Sequence, residues 1–147
     1  MLNRILYVLL ILTVASSCNE SGNSRRSTAD SVQNKVQRFG MVTGLKPEKV
    51  AVYKSLHAHV WPMVLKQIKE SNIRNYSIYL KEINGKPYLF SYFEYTGNDF
   101  SADMRKMAAD SVTKEWWKQT DPTQLPLPDA QSKKQVWSSM EEVFHMQ

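Results

Sequence analysis

Between Lys86 and Tyr95 the chain reads KPYLFSYFEY. Side chains along an extended strand point alternately to two faces, and here Tyr88, Phe90 and Tyr92 fall on one while Leu89, Phe93 and Tyr95 fall on the other. An antiparallel strand with one wet face alternates apolar with polar residues, so a strand that is apolar on both faces needs a cover on each. The chain's own helices supply one cover. The second is either an internal ligand cavity or the sheet of another subunit, and a second subunit is the simpler of the two.

The neighbouring elements follow from this strand. Asn84-Gly85 just before it is a two-residue hairpin signal, which makes RNYSIYLKE (74–82) the partner strand, with Tyr76, Ile78 and Leu80 on one side and Ser77 and Tyr79 on the other. Upstream, QRFGMVTGL (37–45), closed by Gly44 and Pro47, reads as the first strand. Pro47 suits the opening of a helix with Glu48 in its first turn, and Val50, Tyr53, His57 and Val60 recur at spacings of three and four on one face. Pro62 interrupts that pattern, and a second helical piece from Met63 to Glu70 turns Val64, Leu65 and Ile68 inward.

Further on, Asp99 opens a helix carrying Met104, Met107 and Ala108, and a second short helix from Asp110 to Gln119 presents Val112, Trp116 and Trp117. The proline-rich stretch 121–130 reads as a loop, and 135–146 as a last strand with Val143 and Phe144 its clearest apolar pair. The order βαββαβ predicts an α+β fold, a ferredoxin-like sandwich on an antiparallel sheet. With its second face covered by another copy it would form a dimeric α+β barrel.

The 147 residues divide into three parts. Residues 1–17 carry Arg4, an apolar run from Ile5 to Val14 too short for a membrane span, and small residues at 15–17, the pattern of an export signal. Cys18, the single cysteine, follows where a bacterial lipoprotein is lipidated, so no disulfide forms within the chain. Residues 18–35, rich in Ser, Asn, Gly and Arg, read as a tether, and 36–147 as the folded domain. This predicts a domain on the periplasmic or outer-membrane face of a bacterial envelope, attached to the membrane through the N-terminal lipid alone. The net charge of +5 includes Arg4, Arg25 and Arg26, which leaves a mildly basic domain without a Lys/Arg stripe and no support for nucleic-acid binding.

Tyr53 and His57, four apart, are stacked neighbours on the sheet-facing side of their helix. An imidazole there is a candidate proton-transfer group. Trp116 and Trp117 cannot share a helix face, since successive positions turn about 100°; one packs in the core, and an indole lining a cavity offers a flat surface for the C–H face of a sugar ring. The three histidines show no metal-ligand spacing, so no metal site is predicted. Neither a GxSxG nucleophile nor a phosphate-cradling glycine loop is present.

Four stretches in order, YKSLHAHVWP (53–62), NYSIYL (75–80), EWWK (115–118) and MEEVFHM (140–146), resemble the L-rhamnose mutarotase family over about 38–146. The resemblance implies a dimeric ferredoxin-like fold and interconversion of sugar anomers without a cofactor. By position it implies His57 as the catalytic proton donor, and Tyr53, Tyr76, Trp116 and Trp117 as residues that bind a monosaccharide. The chain departs from the family at Ala58-His59, where Asn-Pro is common, and at Met63, where a Glu is common. A sugar-binding module without catalysis and a monooxygenase-like member of the dimeric α+β barrels are the alternative readings.

Overall fold

The computed structural model describes residues 36–146. The export signal read over 1–17, the lipidation site Cys18 and the tether 18–35 lie outside the described residues. β1 spans Gln37–Leu45 and leads through a 3-10 turn, Pro47–Lys49, into α1, Val50–Ala58. After α2, Pro62–Glu70, come β2, Ile73–Ile83, and β3, Lys86–Tyr95. α3, Phe100–Ala109, and α4, Ser111–Thr120, precede β4, Gln124–Leu125, α5, Pro128–Ser132, and β5, Ser138–Met140.

Local chemistry places these boundaries. Pro62 stands at the start of α2 with Trp61 held extended before it, the position in which a missing N–H costs a helix nothing. Asp99 and Asp110 cap α3 and α4, their carboxylates accepting from the backbone N–H of Ala102 at 2.9 Å and of Thr113 at 2.7 Å. Asn84 and Gly85 both adopt positive φ, 50° and 72°, the pair of angles a type I′ hairpin turn requires.

The sheet is antiparallel in the order β2-β3-β1, with β4 and β5 sharing the far edge of β1. This is the α+β, ferredoxin-like arrangement predicted from the element order. Along β3 Leu89, Ser91, Phe93 and Tyr95 are buried and the residues between them only half-buried, so the helices cover one face of the doubly apolar strand. On the open face Tyr79, Phe90 and Val42 stand opposite one another across three strands.

Apolar side chains on the covered face form two separate clusters. Leu45, Tyr53 and Leu89 make one, joined by Val50, Ile78 and Trp137. The other is built on Ile73, Phe93 and Met107, with Phe39, Met41, Ile68, Phe100, Met104 and Trp117 packed against it. Tyr95, fully buried, donates its hydroxyl to Asp103 at 2.7 Å, and Asn72 donates to the same carboxylate oxygen at 2.8 Å.

Three predicted details are corrected. The last strand is only Ser138–Met140; past it Glu142 pairs with Arg38, and Val143 and Phe144, expected as its apolar pair, are 88% and 80% exposed. The stretch 121–130 is not plain loop, since it contains a 3-10 turn at Asp121–Thr123, β4 and the start of α5. Leu65 is 54% exposed while its neighbour Val64 is buried, because adjacent helix positions cannot both face inward.

Candidate functional site

Tyr53 and His57 occupy the last two turns of α1. Their rings stack at 4.0 Å with 25° between planes, and the edge of the imidazole meets the Trp116 indole at 5.5 Å and 69°. Trp61 also meets Trp116, at 5.4 Å and 71°. The result is a run of four rings, Tyr53, His57, Trp116 and Trp61, drawn from α1, α4 and the link before α2.

The imidazole is fixed through one nitrogen. His57 Nδ1 lies 3.0 Å from the carbonyl oxygen of Tyr53, and a carbonyl can only accept, so Nδ1 carries the proton and Nε2 is left for other work. Half-buried, His57 is held below the ordinary imidazole value of 6.5 by desolvation, offset in part by that hydrogen bond. It is therefore neutral at neutral pH, with a lone pair on Nε2. His59, two residues on, is exposed and turns its Nδ1 to the Ser55 carbonyl.

Tyr76 reaches the covered face by way of a bulge. Between Arg74, opposite Glu94, and Ser77, opposite Tyr92, the register shifts by one residue, and Asn75 takes φ 50°. Such an extra residue bends a strand and re-aims the neighbouring side chain. The Tyr76 ring packs edge-on against Phe93 at 5.7 Å. Although the residue as a whole is 39% exposed, its hydroxyl end is desolvated and pushed up to about 12. Burial raises the Tyr53 hydroxyl as well, followed by the charges of Tyr76 and Asp121, so these groups lie within electrostatic reach of one another.

The paired indoles separate as helix geometry requires. Trp116 is buried beside His57, whereas Trp117 packs against the Ile73–Phe93–Met107 cluster. Two groups were not among the expected site residues: Trp61, which the sequence marked only as part of the Trp-Pro in the stretch 53–62, and Asp121, whose carboxyl is raised by burial despite a hydrogen bond from Thr120. Two open hollows lie at the hairpin end of the sheet, around Pro47 and Pro87, and neither is lined by any of these residues.

A sequence model described as L-rhamnose mutarotase matches residues 38–146, the whole described domain but for its first two residues. The chain belongs to the L-rhamnose mutarotase family. It is 30% identical over 111 residues to the L-rhamnose mutarotase of Oceanobacillus iheyensis, covering 76% of this chain and 99% of that protein. The L-rhamnose mutarotase of Phocaeicola vulgatus is 31% identical, with 69% of this chain and 90% of the relative covered. The fold is also that of the crystal structure of an L-rhamnose mutarotase from Formosa agariphila, with a TM-score of 0.56 at 24% identity over 76% of this chain and 99% of the other. Of the departures from the family pattern, His59 and Met63 sit on the surface, Met63 being 53% exposed.

Proposed function

We propose that the chain interconverts the α and β anomers of L-rhamnose or a related 6-deoxy sugar, with His57 moving the proton. The observation that carries this reading is the tethered imidazole: neutral, Nδ1–H committed to the Tyr53 carbonyl, flanked by Tyr53 and Trp116. Nε2 takes the proton of the anomeric hydroxyl O1 as the C1–O5 bond breaks and the C1=O1 aldehyde forms. Both oxygens are bonded to C1, so the same nitrogen delivers that proton to O5. Rotation about C1–C2 presents the other carbonyl face, and closure runs the steps in reverse.

His57 thus accepts on opening before it donates, and needs no cofactor for either step. Tyr53 and Tyr76, both kept protonated by burial, would donate hydrogen bonds to sugar oxygens, and the indole faces would hold the C–H surface of the ring. Selective-saturation NMR of L-rhamnose with the purified chain tests the assignment. His57→Ala is expected to abolish most of the added anomer exchange while sugar affinity stays within about tenfold, roughly 1.4 kcal/mol. Unchanged exchange in that variant would remove His57 from the mechanism.

The same proposal makes the working unit a homodimer joined through the open sheet face. The row Tyr79, Phe90, Val42, with Tyr79 62% exposed, supports it.

A further inference from the structure

Ser91 sits in the middle of the covered sheet face, opposite Met41 on β1 and Ile78 on β2. It is 2% exposed, and its hydroxyl has no hydrogen-bond partner. Buried polar groups are nearly always paired, because leaving one unmet forfeits the hydrogen bonds it had in water. An orphan at the centre of a sheet therefore calls for a reason.

Its position supplies one. Leu89, two residues before Ser91, belongs to the cluster of Tyr53, and Phe93, two residues after, belongs to the cluster that carries Trp117 and meets the Tyr76 ring. Along β3, Ser91 lies between the two clusters. A domain of this size ordinarily has one contiguous core. Here the division falls between the two tyrosines, and Trp116, buried beside His57, belongs to neither cluster.

We infer that the division is the sugar cleft and that Ser91 is a specificity-determining residue on its floor, its hydroxyl exchanging a hydrogen bond with one secondary hydroxyl of a bound pyranose. The inference rests on the sugar-site reading above and goes beyond it by naming a contact on the sheet. The Ser91 hydroxyl is closed to solvent, so the sugar reaches it by parting the side chains of the two clusters. The unmet bond favours that opening, since the sugar hydroxyl satisfies the Ser91 hydroxyl that the core leaves unpaired. The contact lies away from the anomeric carbon, so it acts on affinity and on the choice of sugar, leaving the proton transfer to His57.

The test compares Ser91→Ala with the unaltered full chain on L-rhamnose and its 2-, 3- and 4-deoxy analogues, by calorimetric titration and by anomer-exchange NMR. For L-rhamnose, Ser91→Ala is expected to weaken binding about five- to tenfold, the effect of one neutral hydrogen bond, with KM raised and kcat unchanged. One deoxy analogue should lose the same factor with the unaltered chain and nothing further with the variant. The melting temperature should stay level or rise, because an unpaired buried hydroxyl has been removed. Equal affinities for all four sugars in both proteins, an equal loss on every analogue, or a lowered melting temperature would each overturn the assignment. Binding without accelerated exchange would sink the mutarotase reading while the titration still judges Ser91; absence of binding to all four sugars would sink both.

Discussion

At the scale of single residues, the tie from His57 Nδ1 to the Tyr53 carbonyl sets both tautomer and charge. Burial lowers the imidazole from 6.5, so the neutral, proton-accepting form prevails at and above neutral pH and is lost as the pH falls. The pH–rate profile of anomer exchange, corrected for the spontaneous reaction, should therefore show an acid limb centred below 6.5 and no alkaline limb before Tyr76 ionises, which burial defers to about 12. A midpoint above 6.5 would contradict the desolvated setting. The Tyr53–His57 pair was legible because four-residue spacing on a helix is a statement about neighbours. Trp61 and Ser91 were not, since an aromatic before a proline and a serine in a strand acquire their roles only when α4 and the two core clusters come together around them.

Whole elements were easier to read than their packing. β1 and β3 were legible to the residue because Gly44 with Pro47 closes the first and Asn84-Gly85 opens the second, and both helix-opening aspartates are caps in the structure. The last strand was overextended, because Val143 and Phe144 match an apolar pattern that does not reveal whether such residues find a core, and both are exposed. The bulge at Asn75 was invisible for a related reason: Tyr76 and Ile78 keep their two-residue phase, and only the register against β3 exposes the extra residue. The turn after β3 gives an element-scale prediction. A Cβ on Gly97 would collide with the Tyr95 hydroxyl and lie 2.8 Å from Asn72 Nδ2, the groups that converge on Asp103 and tie β3 and the end of α2 to α3. Gly97→Ala should cost about 1–3 kcal/mol of stability, read as a lower urea midpoint; an unchanged midpoint would show that this knot yields without loss.

For the whole molecule, the doubly apolar strand foretold a sheet with one face under helices and one left for something else, and the fold has that form. A charged residue in the middle of the open face tests what the something is. Phe90→Glu, in the row with Tyr79 and Val42, should convert a dimer to monomers in sedimentation velocity with far-UV circular dichroism retained, whereas an unaltered chain that sediments as a monomer would refute the paired form. If copies pair as proposed, Tyr79 and its row also tie the behaviour of the chain to its abundance. Under the proposed pairing, dilution would leave these rings facing water or foreign surfaces, so the share of paired copies, and the loss of chain to vessel walls, would change with concentration.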